Sequence, residues 1–72
     1  MSQPPILQRG ATSRDVEQLQ RDLSKLGYEI GVDGVFGEAT ETVVKKFQQE
    51  NNLTVDGIVG LQTGQKLGAP PA

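Results

Sequence analysis

The residues of this 72-residue chain that could do chemistry are its nine carboxylates and a twice-written Asp-Gly turn. There is no His and no Cys, which removes Ser-His and Cys-His nucleophile pairs and ordinary zinc sites. Two carboxylates could in principle form the acid and base of a glycosidase. A chain this small cannot both desolvate an acid and hold a sugar, so the carboxylates read as solvated helix charges and turn caps. Asp33 and Asp56 invite comparison with a calcium loop, which needs alternating oxygen ligands and a late Glu. After Asp33 come Gly34, Val35, Phe36 and Gly37, which offer no side-chain oxygen. The expectation is no enzyme, no metal and no cofactor.

The turn is the more informative feature. VDGVFGEAT at 32–40 and VDGIVGLQT at 55–63 share the pattern V-D-G-x-x-G-x-x-T, the second copy starting 23 residues after the first. In the first copy Val32 supplies an apolar anchor. The Asp33 carboxylate can accept from backbone N–H groups two residues on. Gly34 takes a positive φ that a Cβ would oppose. Val35 or Phe36 plugs the core, and Gly37 opens a helix where close packing or an unusual dihedral would exclude a side chain. Thr40, in the first helical turn, reaches back toward the loop. Asp56, Gly57, Ile58, Val59, Gly60 and Thr63 repeat this for the next helix.

Three helices must position these turns. Thr12, or Ser13 nearly as well, caps a first helix over about 14–26, with Asp15 near its positive end. Val16, Leu19, Leu23 and Leu26 form its apolar stripe, and Gly27 ends it. A second helix, about 38–50, places Ala39, Val43 and Phe47 on one face with Thr40 and Val44 beside them, and Asn51-Asn52 breaks it. A short third helix, about 61–67, ends at Gly68. Residues 27–37 are turn-rich, and their flanking runs are too short for more than a β-bridge. The expected fold is an all-α three-helix bundle. Residues 1–11 form an extended lead-in that Ile6 and Leu7 could pin to the core, 12–68 the domain, and 69–72 a tail like the start of a linker.

Composition bounds the partners. Seven basic and nine acidic residues give a formal charge of −2, with no basic field for nucleic acid or anionic membranes. No apolar run approaches the roughly 20 residues that span a bilayer. The start, MSQPPILQRG, lacks the basic head and apolar stretch of a secretory signal. The expectation is a piece of a larger protein, or a parent exported without that signal. Without Cys the chain can fold in reducing or oxidising surroundings.

Taken together, L-Q-x-x-L-x-x-L-G-Y at 19–28, V-D-G-x-F-G-x-x-T at 32–40, F-Q at 47–48 and L-x-V-D-G-x-V-G-x-x-T at 53–63 resemble the type 1 peptidoglycan-binding domain. The resemblance runs from about Gly10 to Leu67. It implies a noncatalytic three-helix module, usually attached to cell-wall hydrolases, and a location in the wall, periplasm or outside the cell. The matrix metalloproteinase prodomains, a related branch, need a cysteine that this chain lacks. Many members carry an aromatic directly after the second Thr, where this chain has Gly64. The rival reading is a protein-interaction module that kept the scaffold and no longer binds glycan.

Peptidoglycan offers sugar hydroxyls, apolar lactyl and alanyl groups, and peptide carboxylates, which a shallow groove with an apolar floor can read. The candidate ligand-binding residues are Gln20, Tyr28, Asp33, Gly34, Gly37, Thr40, Gln48, Asp56, Gly57, Gly60 and Thr63. Each has a structural alternative. Gln20 and Gln48 either buttress a loop or face the groove. Gly37 and Gly60 either admit a ligand to the N-termini of the second and third helices or serve backbone geometry. The aspartates cap turns or touch ligand. Tyr28 stacks on a sugar or packs in the core with its hydroxyl wet. Lys45 and Lys46 meet peptide carboxylates or form a solvated face. A monomer is expected.

Overall fold

The computed structural model describes residues 6–67. The expected Gly68 helix stop, the 69–72 tail and the first five residues of the lead-in lie outside the described residues. Three helices follow in order: α1, Arg14–Lys25; α2, Glu38–Glu50; and α3, Leu61–Lys66. Among the described residues there is no strand, only two isolated antiparallel bridges, Leu7 with Val59 and Thr12 with Val35. No helix among the described residues is long and apolar enough to cross a membrane. The all-α three-helix architecture is as expected.

Helix ends follow from local chemistry. Ser13 rather than Thr12 is the N-cap of α1, its Oγ accepting from Val16 N–H at 3.3 Å. Thr12 is instead drawn into the bridge with Val35. α1 and α2 end in the same way. Gly27 takes φ +101° and Asn52 takes φ +58°. Beyond these residues, Tyr28 N–H reaches Leu23 O at 3.1 Å and Leu53 N–H reaches Gln48 O at 2.8 Å. Each is a left-handed C-terminal stop that satisfies free carbonyls, once with Gly and once with Asn.

The core is Val16, Leu19 and Leu23 from α1, Val44 and Phe47 from α2, Phe36 and Val59 from the two loops, and Leu7 from the lead-in. Three expectations are corrected here and one alternative is decided. Leu26 is 54% exposed, because it falls at the α1 C-cap where the chain turns away from the stripe. Ala39 is exposed, because α2 turns Thr40, Val44, Phe47 and Gln48 inward; Val43 is half-buried against the core. Val32 and its counterpart Val55 are exposed and lie outside the core. Of the two candidates to fill the core after Gly34, Phe36 is buried and Val35 is exposed.

The lead-in is joined to both loops. Leu7 and Val59 exchange backbone hydrogen bonds at 3.1 and 2.8 Å. Gly10 N–H donates to Phe36 O, and Phe36 N–H donates to Ala11 O, each at 2.9 Å. Leu7 is buried and Ile6 is exposed, so one residue of the expected pair pins the segment.

Gly64 sits inside α3 with ordinary backbone geometry, and a Cβ built there meets nothing within 4 Å. Gly64→Ala therefore removes unfolded-state freedom without a steric cost. It is expected to stabilise the chain by up to about 1 kcal/mol. Calorimetry should show a melting temperature raised by a few degrees; a lowered one would contradict the open space beside α3.

Candidate functional site

The repeated turns are each built around one buried glutamine. Gln20 projects inward from α1. Its Oε1 accepts from Asp33 N–H and Gly34 N–H, both at 2.9 Å. Its Nε2 donates to Asp33 Oδ1 at 2.9 Å, Val35 O at 3.1 Å and Thr40 Oγ1 at 3.1 Å. Asp33 Oδ1 also accepts from Val35 N–H at 3.0 Å, closing the turn. The Thr40 hydroxyl donates onward to Val35 O at 3.4 Å.

Gln48 repeats the arrangement from α2. Its Oε1 accepts from Asp56 N–H at 3.1 Å and Gly57 N–H at 3.0 Å. Its Nε2 donates to Asp56 Oδ1 at 2.9 Å, Ile58 O at 2.9 Å and Thr63 Oγ1 at 3.1 Å. Ile58 N–H donates to Asp56 Oδ1 at 2.9 Å. Each primary amide thus acts like a piece of backbone, offering an acceptor and a donor to the turn groups that the lead-in does not reach. Among the described residues no buried side-chain nitrogen or oxygen lacks a partner.

The turn glycines fit this geometry. Gly34 and Gly57 have φ of +78° and +74°. A Cβ on Gly34 would lie 3.1 Å from Glu17 Cγ, and one on Gly57 would lie 3.0 Å from Glu41 Cγ. The positive φ favours glycine at both positions, and a Cβ would also push the neighbouring glutamate aside by a few tenths of an ångström. Gly37 and Gly60 are different. They are the N-caps of α2 and α3, with φ of −103° and −97° in extended backbone, and a Cβ at either meets nothing within 4 Å. The expected close packing or unusual dihedral at Gly37 is therefore absent; the position is open.

The eleven candidates consequently divide. Gln20, Thr40, Gln48, Thr63, Gly34 and Gly57 are buried. Asp33 and Asp56 are exposed, and Gly37, Gly60 and Tyr28 are half-buried. Asp56, Gly60 and Thr63 meet Leu53, Ile58 and Gln62 along a shallow cleft of about 200 Å³ beside α3. Tyr28 stands apart from both turns. Its ring meets Phe47 edge-on at 6.2 Å and 74°, and its hydroxyl donates to Glu50. That bond to a carboxylate, with some burial, raises the phenol pKa. Glu50, at the end of α2, was not among the sequence candidates; no local spacing joins it to Tyr28.

Both turn aspartates have lowered pKa values. The backbone N–H of Val35, then the Gln20 amide, hold the Asp33 carboxyl below its ordinary value; Ile58 N–H and Gln48 do the same for Asp56. A carboxylate lowered in the folded state contributes stability that is present above its unfolded pKa and lost as pH falls through the folded one. The loss should therefore fall below about pH 4. Replacing both by Asn keeps an acceptor oxygen in each turn but removes the titration. Urea midpoints followed from pH 5 to pH 2 should decline less steeply in the Asp33→Asn, Asp56→Asn variant than in the native chain; parallel declines would show that the two groups are not linked to folding.

A small helical scaffold with two internally braced turns and shallow clefts is an architecture suited to a binding module. The family model described as a putative peptidoglycan binding domain matches residues 12–67. The chain belongs to this family. It is 44% identical over 63 residues to the spore cortex-lytic enzyme of Bacillus cereus, covering 86% of this chain and 24% of that enzyme. The crystal structure of the SleB N-terminal domain superposes with a TM-score of 0.85 at 43% identity, covering 89% of each chain. The endolysin of Burkholderia phage AP3 aligns at a TM-score of 0.88 and 36% identity over 92% of this chain and 25% of the endolysin. The chain thus spans about a quarter of the curated relative. It is a noncatalytic peptidoglycan-binding module of the kind found in cell-wall hydrolases.

Proposed function

We propose that the module tethers an attached wall-active enzyme, or anchors a protein, to peptidoglycan at or outside the cell surface, acting as a monomer. The observation that carries this is the family match across 12–67 in a chain that spans only about a quarter of its curated relative. Weak binding suffices for this task. A linked enzyme meets its polymeric substrate at an effective concentration of about millimolar when the linker is short and flexible.

The glycan or its peptide is read by the outer side of the turns. Asp33 and Asp56 offer exposed carboxylates there and Gly37 and Gly60 half-buried backbone, while Gln20, Gly34, Thr40, Gln48, Gly57 and Thr63 hold that surface in shape from within. Tyr28 contributes from the α1–α2 side. The test is co-sedimentation of the purified chain with insoluble sacculi at low salt. Most of the protein should pellet with the wall. Protein that remains wholly in the supernatant would favour an interaction module that no longer binds glycan, and release of soluble muropeptides by the chain alone would favour a hydrolase.

A further inference from the structure

Six of the eleven candidates are buried within the turns, and a second concave surface lies away from them. A cleft of about 580 Å³ lies between the turn that ends α1 and the outer side of α2. Its apolar part is Leu26, Tyr28 and Val43; its charged part is Glu29, Lys46 and Glu50. An exposed leucine alone is unremarkable. Leu26 is instead grouped in a concavity with the half-buried Tyr28 and Val43, in a lining that also carries charges of both signs.

The charged groups are not equivalent. Glu50 accepts from the Tyr28 hydroxyl. Lys46 is exposed and makes no ion pair among the described residues. Its neighbour Lys45 faces elsewhere, its Cε 3.1 Å from where a Gly57 Cβ would stand. The lysine pair is therefore split, with one beside the second turn and one lining the cleft. Glu29, also exposed, lines the same cleft from the chain just after α1.

We infer that this cleft takes the stem peptide of peptidoglycan, with Lys46 receiving a peptide carboxylate, Glu29 receiving a free amine, and alanyl methyl groups resting on Leu26 and Val43. This rests on the wall-binding reading and names the part of the polymer that is held. Charge complementarity selects the occupant. A peptide with a free carboxylate and a diamino acid answers both signs of charge, whereas neutral sugars answer neither. Tyr28 is also poorly placed as a sugar platform, since its ring is set against Phe47 and its hydroxyl is engaged by Glu50.

The test is an NMR titration of the full chain, ¹⁵N-labelled, with the tetrapeptide L-Ala-γ-D-Glu-meso-diaminopimelate-D-Ala and separately with the peptide-free N-acetylglucosamine–N-acetylmuramic acid disaccharide. Sacculi co-sedimentation is run beside it. The tetrapeptide should shift the amides of Gly27, Tyr28, Val43 and Lys46. Lys46→Glu should weaken it about fivefold, as expected for an exposed charge contact. Lys66→Glu, the same charge change on α3, should leave it unaltered. If sacculi bind but the tetrapeptide leaves these amides unmoved, or both variants weaken it alike, the inference is overturned and wall binding stands. Shifts at the same amides from the disaccharide instead would also overturn it. Neither sedimentation nor tetrapeptide shifts would remove both readings.

Discussion

Gln48→Ala is expected to leave the chain largely unfolded at 25 °C. The side chain is 1% exposed and takes part in five hydrogen bonds. Truncation strands the buried N–H of Gly57 and removes the donor to Ile58 O. A buried polar group left without a partner costs about 1–3 kcal/mol, and the vacated volume adds to this. The sum reaches about 3–5 kcal/mol, comparable to the whole stability of a domain this small. Gln20→Ala should behave likewise, because its partners correspond one for one.

Gln48→Glu separates shape from hydrogen-bond donation. It preserves the two accepting contacts to Asp56 and Gly57 N–H but places a second carboxylate against Asp56. Burial and the neighbouring charge raise the folded pKa of the introduced acid. Its penalty is then smallest when the group is protonated and grows as pH rises above its unfolded pKa, so this variant should be more stable at pH 5 than at pH 8. Circular dichroism at 222 nm and urea titration measure all three variants. A Gln48→Ala midpoint within experimental error of the native one would show that the turns hold without the glutamine.

Starting the chain at Thr12, where the family match begins, is the second large effect. It removes Leu7, both backbone hydrogen bonds to Val59, the Gly10 bond to Phe36 O, and the Ala11 carbonyl that accepts from Phe36. Burial of one leucine contributes about 1.5–3 kcal/mol, and each backbone bond about 0.5–1.5 kcal/mol net. Loss of about 3 kcal/mol or more is expected. Arg9 adds little, since its pairs with Glu38 at 3.7 Å and Glu41 at 3.6 Å are exposed at the arginine. Leu7→Ala keeps the backbone bridges and should cost about 2–4 kcal/mol. Thermal melts of the two together distinguish side-chain burial from bridge pairing. A chain beginning at Thr12 that melts like the full sequence would mean the lead-in is dispensable.

The two effects mark where local patterning stops. The α2 bounds, the Gly27 stop and the positive φ at Gly34 were legible because each depends on the residue and its near neighbours. A helical stripe, by contrast, shows which residues could face inward but not how a helix is rotated against its loops. Ala39 was misjudged for that reason: α2 is set so that Thr40 and Gln48 reach the loops. Glutamine beside a hydrophobic stripe suits a wet edge as well as a buried brace, and only its partners decide.

What the sequence determined alone is therefore the set of parts: three helices, two Asp-Gly bends and a chain with no His and no Cys. Tertiary structure decided their use. It turned both glutamines inward, joined Leu7 to Val59, split Lys45 from Lys46 and brought Tyr28 to Glu50. The physical reason is range. Backbone dihedrals and helical periodicity are fixed by neighbours in the chain, whereas the cost of burying an amide depends on acceptors and donors that arrive only when distant segments pack together.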